Sequence, residues 1–163
     1  MPRFRGNFAL RLRVGAAALL LLCGLAPAWA SLGGDASSVQ ADQVRMQASR
    51  RVVSSDAYTV HEMQAPTGTV VKEYLSPGGK VFAVSWHGPW MPDMRQLLGS
   101  YFEQYTQAAQ SARTENGIRI ARQPLVIEQP GLVVQVGGHS RSFAGVAYVP
   151  EMLPSGMRAE DIQ

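Results

Sequence analysis

Three features of the sequence predict an α+β domain, an antiparallel sheet with one long amphipathic helix packed across it. The first is a series of β-branched and aromatic runs, Tyr58–Ala65, Thr69–Leu75 and Lys80–His87, separated by Pro-Thr-Gly, Ser-Pro-Gly-Gly and Gly-Pro turns. The second is an apolar stripe at steps of three and four over residues 93–115, and the third is a return to short strand-like runs from Leu125 to Val149. Short Pro/Gly loops between such runs are hairpin signals, and a period near 3.6 marks a helix with one buried face.

The chain opens with a segment that reads as an export signal rather than as part of this fold. Arg3, Arg5, Arg11 and Arg13 form a positive start, Val14–Leu25 is an apolar run of 12 residues, and Ala28-Trp29-Ala30 supplies the small residues that signal peptidase requires. Cleavage is expected before Ser31. Twelve apolar residues are too few to span a bilayer, which takes about 20. No twin-Arg pair occurs in this positive start, so the general secretory route is expected. Cys23 follows Leu22, where a lipoprotein peptidase needs a small residue, so this cysteine is expected to leave with the signal.

Residues 31–163 then form a single domain, with 31–49 and 151–163 expected as loosely packed ends. Ser31–Ser38 is small and polar, and Asp35, Ser37 or Ser38 is positioned to cap a short helix through Met46. Strand character begins near Arg50 with Val52-Val53 and continues into the three runs. Within Lys80–His87, strict alternation places Phe82, Val84 and Trp86 on one face and Val81, Ala83 and Ser85 on the other. Met94, Leu97, Leu98, Tyr101, Tyr105, Ala108, Ala109 and Ala112 make the apolar stripe of the long helix. Asp93 and Gln96 have capping-box spacing at its start, and Asn116-Gly117 suits its end. Ile118–Ile120, Leu125–Ile127, Leu132–Val136 and Ser142–Val149 follow as strands, with turns at Gln129-Pro130-Gly131 and Gly137-Gly138. The two hairpin regions echo each other, Gly68-Thr69-Val70-Val71 and Phe82-Ala83 against Gly131-Leu132-Val133-Val134 and Phe143-Ala144. Shared hairpin composition is the simpler reading of the echo, and a duplication is the other.

Charge excludes one class of function. The full chain carries 15 Lys+Arg and 12 Asp+Glu, a net +3. Four of those arginines sit in the export signal; residues 31–163 hold 11 basic and 12 acidic side chains, a net −1. Arg50-Arg51 is the only adjacent basic pair after the signal, whereas phosphate affinity needs several cations on one surface, so nucleic-acid binding is not expected. With no cysteine after Cys23, stability must come from packing rather than disulfides.

Catalytic patterns are sparse. His61, His87 and His139 are the only histidines, and a three-His zinc site is the enzyme reading they allow, with Glu62 as an accompanying carboxylate. Their spacing supplies no i,i+2 or i,i+4 pair and no H-E-x-x-H. Gly138-His139-Ser140-Arg141-Ser142 begins like a nucleophile elbow but ends in Ser and runs into a strand, so it reads as a polar turn. Glu62 and Glu73 are expected to sit across one hairpin. The most unusual stretch is Trp86-His87-Gly88-Pro89-Trp90-Met91-Pro92-Asp93. Trp86, His87 and Trp90 are either an aromatic lip for a partner or rings packed under the helix start.

Residues along the whole of 31–163 carry a family resemblance. Ser31-Leu32-Gly33-Gly34-Asp35, Tyr58-Thr59-Val60-His61-Glu62, Phe82-Ala83-Val84-Ser85-Trp86 with Gly88-Pro89, and Ala147-Tyr148-Val149-Pro150 resemble the exported proteobacterial domain-of-unknown-function family 2844. The resemblance implies export from a Gram-negative cell and a single domain, and it carries no catalytic residues across. The resulting expectation is a non-catalytic binding or accessory module of the periplasm, acting on an envelope protein or glycan without a cofactor. The alternatives are a small hydrolase or metal-dependent enzyme built on the three histidines, and a sheet edge that captures an extended strand.

Overall fold

The computed structural model describes residues 32–115 and 124–163. The export signal at 1–30, the Asn116-Gly117 helix end and the Ile118–Ile120 run lie outside the described residues. Among the described residues, seven strands form one antiparallel sheet in the order β1-β2-β3-β4-β7-β6-β5. They are β1 (Ser49–Ser54), β2 (Thr59–Gln64), β3 (Val70–Leu75), β4 (Val81–Gly88), β5 (Leu125–Gln129), β6 (Leu132–His139) and β7 (Ser142–Tyr148). The predicted α+β class and its three-run meander therefore hold, with the Pro66–Gly68, Ser76–Gly79 and Gln129–Gly131 turns between strands. Gly137-Gly138, expected as a turn, instead lies inside β6, whose pairing with β7 runs on to His139 and Ser142, so that the chain reverses at Ser140-Arg141.

Helices cover one face, called inner below. Helix α1 (Ala36–Met46) starts at Asp35, whose carboxylate accepts hydrogen bonds from the backbone N–H of Ser37 (2.9 Å) and Ser38 (3.3 Å). These bonds satisfy donors that the helix leaves free, and with the Ser37 hydroxyl they hold the Asp35 carboxyl below its usual range. The long helix of residues 93–115 is two pieces: α2 (Met94–Leu98), a 3-10 turn at Gly99–Tyr101, and α3 (Phe102–Glu115). Gly99 breaks it by taking φ 50°, a left-handed value that favours glycine. Asp93 caps α2 by accepting from the N–H of Arg95 and Gln96. The Gln96 side chain does not close a capping box; it points inward to another partner. Leu97, Leu98 and Ala109 are buried against the sheet, with Met94, Tyr101, Phe102 and Tyr105 packed beside them.

Strict alternation fails at one point in β4. The pairing of β3 with β4 slips between Tyr74 and Leu75, so Tyr74 faces Ala83 and Leu75 faces Val81. Phe82 is the extra residue of a β-bulge. As a result Val81, Val84 and Trp86 join the inner core, whereas Phe82 and Ala83 turn outward to Tyr74. The same outer cluster corrects the expectation of loose ends. Ile162 is buried there, and the Tyr74 hydroxyl donates to the Gln163 carbonyl (2.6 Å) and accepts from the Gln163 N–H (3.0 Å). At the other end Leu32 and Val39 are fully buried, and backbone bonds tie Leu32 to Leu97 and Gly33 and Gly34 to Val81. Both ends are packed because each supplies apolar cover that the sheet otherwise lacks.

The sheet also has an approximate internal two-fold. Strand β4 pairs antiparallel with β7, with Ser85 opposite Val146, and the echoed Phe82 and Phe143 each lie three residues before that pair. Trp86 faces Gly145 and Val84 faces Ala147. Two three-stranded meanders, β2–β4 and β5–β7, thus meet at equivalent residues. Met63–Val71–Trp86 corresponds to Ile127–Val134–Ala147, and His61–Glu73–Val84 to Leu125–Val136–Gly145. This register matches the sequence echo and goes beyond shared hairpin composition.

Candidate functional site

The inner face should be apolar along β3, where alternation presents Val71, Glu73 and Leu75 to the helices. Glu73 sits in that row between His61 of β2 and Val84 of β4, and it is completely buried. Helix α1 lays Ser38, Val39 and Asp42 onto the same face, three and four residues apart, and Asp42 is also completely buried. Gln96 of α2 donates its Nε2–H to Asp42 Oδ1. Three elements distant in sequence thus converge on two carboxyl groups and an amide.

The electrostatics follow from burial. An ionised carboxylate away from water is costly, and a second one beside it more so. Burial therefore pushes Asp42 up to about 6, against the lowering effects of Gln96, Glu73 and Arg45. Glu73 lies well above its usual range, first through burial and then through the charge and hydrogen bond of Asp42, with Arg50 opposing. Among the described residues, Asp42 Oδ2 and both Glu73 carboxyl oxygens accept no hydrogen bond. The arrangement accommodates one proton between the two acids. It lines neither the groove of about 590 Å³ beside Leu32, Arg95 and Tyr101 nor that of about 620 Å³ on the outer face beside Arg51, Tyr58 and Lys72.

The predicted aromatic lip divides. Trp86 is only 2% exposed; its ring lies across Gly145 of β7, where a Cβ would come within 2.3 Å of Cζ2. It belongs to the core and is no part of a lip, because β4 turns it inward beneath the helices. Trp90 is 59% exposed, and His87 and Met91 are exposed with it. The Trp90 backbone is pinned at both polar atoms: its N–H donates to Thr69 Oγ1 (3.3 Å), and its carbonyl accepts from the same hydroxyl (2.9 Å).

The histidine trio does not assemble. His61 faces inward from β2, and burial with the charge of Arg50 lowers its pKa. His87 and His139 are exposed on β4 and β6, with β7 between them. Among the described residues, no group of three or more His, Cys, Asp and Glu side chains is placed to hold a metal ion. Nor do Glu62 and Glu73 oppose each other. Glu62 faces Lys72 at 3.9 Å on the outer face, while Glu73 points inward. The Gly138–Ser142 stretch is the β6–β7 hairpin turn, with Arg141 at φ 65°. Asp42 was not singled out from the sequence, Glu73 was weighed only as a partner of Glu62, and Gln96 only as a helix cap. The available signal was a lone acid at an inward position, flanked by Val71 and Leu75.

The family model for a protein of unknown function, DUF2844, matches residues 28–162. The chain belongs to the DUF2844 family. No curated protein and no solved structure matches it. Among the described residues of this DUF2844 protein, no helix is long and apolar enough to cross a membrane.

Proposed function

We propose that this DUF2844 protein is an exported, non-catalytic accessory module of the Gram-negative cell envelope, and that Trp90 with Met91 is its contact with an envelope protein. The export half of the reading rests on the arginine-rich start, the 12-residue apolar run and Ala28-Trp29-Ala30. The family match begins at residue 28, three residues before the expected cleavage point, which accords with a domain that starts there.

The observation that carries the binding half is the presentation of Trp90. A large apolar ring stands 59% exposed on a backbone that the Thr69 hydroxyl fixes at both its N–H and its carbonyl, so the segment that presents it is held in place before a partner arrives. Such preorganisation removes part of the entropy cost of association. Tryptophan is enriched among residues that dominate interface energies, and methionine is also enriched at interfaces, which favours a protein partner over a sugar platform.

The test is cross-linking and affinity capture by the tagged, processed protein from envelope fractions, with Trp90→Ala beside it. The expected result is an N-terminus at Ser31 and a captured envelope protein that Trp90→Ala loses while keeping its native circular dichroism. Binding only to purified peptidoglycan overturns the protein partner. A second reading rests on β1, a terminal strand whose six residues are all exposed. A capture that survives Trp90→Ala and is lost with Val52→Asp assigns the contact to that edge by strand addition.

A further inference from the structure

We infer that Asp42 and Glu73 share one proton beneath α1, and that this proton makes the helix a pH-sensitive strap, closed in acid and loosened in alkali. Both acids are fully buried at the α1–sheet contact, Gln96 occupies Asp42 Oδ1, and among the described residues the three other carboxyl oxygens find no hydrogen-bond donor, like the buried Nδ1 of His61 opposite Glu73. A proton on Glu73 converts this contact into a donor–acceptor bond; without it two anions face one another in an apolar layer.

The charged and titratable neighbours come from every packed element. Arg45 on α1 and Arg50 on β1 favour ionisation, Asp93 before α2 opposes it at Asp42, and His61 across β2 is held toward its neutral form. Neither arginine prevents burial from keeping both acids raised. The fold itself does not demand an acid here. The position equivalent to Glu73 in the second meander is Val136, and that equivalent to His61 is Leu125.

The direction of the pH effect follows. In the unfolded chain both carboxyls titrate near 4, so between that range and the raised folded values the native state holds more protons. The stabilisation is complete in acid and is lost as pH rises through about 6 for Asp42 and then higher for Glu73. Each excess proton changes the folding equilibrium by roughly tenfold per pH unit across its interval. The strap is the element that yields, because α1 owes its central polar contact to this pair while its start is held separately by the Asp35–Lys80 bridge.

The experiment compares the full chain with Glu73→Gln between pH 5 and 9. In the wild type, the melting temperature is expected to fall with pH, and α1 amide exchange, corrected for its intrinsic rate, to accelerate relative to β6 and β7. Infrared spectra should show a protonated carboxylic acid persisting at pH 7. Glu73→Gln keeps an amide donor to Asp42 without titrating, so it should flatten the pH dependence and remove that infrared band. Should it fail to fold, Asp42→Asn is read by the same band, which should be lost at a lower pH than in the wild type because the Asp42 charge no longer helps to hold the Glu73 proton; a band unmoved by Asp42→Asn overturns the inference. Parallel pH profiles in wild type and variant, or no protonated acid at pH 7, overturn the inference. So does stabilisation by added calcium at pH 8 that depends on Glu73, since a cation would then fill the proton's place.

Discussion

The two meanders share a topology and a two-fold relation, yet their inner faces differ. In β5–β7 the inward row is Leu125, Val136 and Gly145, and the next is Ile127, Val134 and Ala147. In β2–β4 the matching rows are His61, Glu73 and Val84, then Met63, Val71 and Trp86. The second meander is what a buried sheet face minimally requires, namely apolar side chains of graded size. The first adds a buried acid, a half-buried imidazole and an indole to the same scaffold. It also carries the extra covering helix that supplies Asp42. Glu73 and Trp86 are thus local to one half of the sheet, and each can be withdrawn to see what it does.

The largest effect is expected where the halves interlock. Trp86 fills the space above Gly145, so a small residue in one meander is matched by the largest in the other. Trp86→Ala, which copies its counterpart Ala147, removes the wall on both sides at once. The expected loss is about 3–5 kcal/mol by urea unfolding, the range for emptying a large aromatic site in a core. A loss below about 1 kcal/mol would mean that the two halves pack without the indole.

The next effect has the opposite sign. Replacing the acid pair by apolar residues, Glu73→Val together with Asp42→Leu, makes the first meander resemble the second. Buried polar pairs replaced by packed hydrophobic groups are often neutral to about 1–4 kcal/mol more stable. The gain should be largest at pH 8, where the wild-type pair has lost most of its stabilisation, and smallest at pH 5. Equal gains at both pH values would show that packing alone, and not titration, sets the difference.

How much of this was legible in the sequence depends on the range of the interaction involved. Asp35 and Asp93 as caps, the turns at Pro66–Gly68 and Pro130-Gly131, and the strand runs are local, and the chain states them directly. The inner and outer faces of β4 were not legible, because one bulge at Phe82 shifts the alternation of everything before it. The helix break at Gly99 was hidden by a stripe that continues across it with its phase nearly kept. The acid pair was least legible of all. Asp42, Glu73 and Gln96 span 54 residues of chain, and only the packing of α1 and α2 over β3 brings them together. What the sequence did carry was the echo of the two hairpin regions, although their unequal turns concealed its register until β4 and β7 were seen to pair.

The smallest effect is expected four residues beyond Trp86. Trp90 lies past the end of β4, outside both meanders, and its ring faces solvent. The bonds that fix this loop to Thr69 come from the Trp90 backbone, so truncating the side chain leaves them in place. Trp90→Ala should therefore change stability by no more than about 0.5 kcal/mol, the ordinary range for surface substitutions. Iodide quenching of tryptophan emission in the processed protein should fall sharply, because the remaining indole, Trp86, is buried. A loss of about 2 kcal/mol or more would place Trp90 in the structural framework with Trp86 and remove the reason to regard it as a contact. An unchanged stability together with lost partner capture would separate the two tryptophans, one closing the seam between the meanders and the other working outside it.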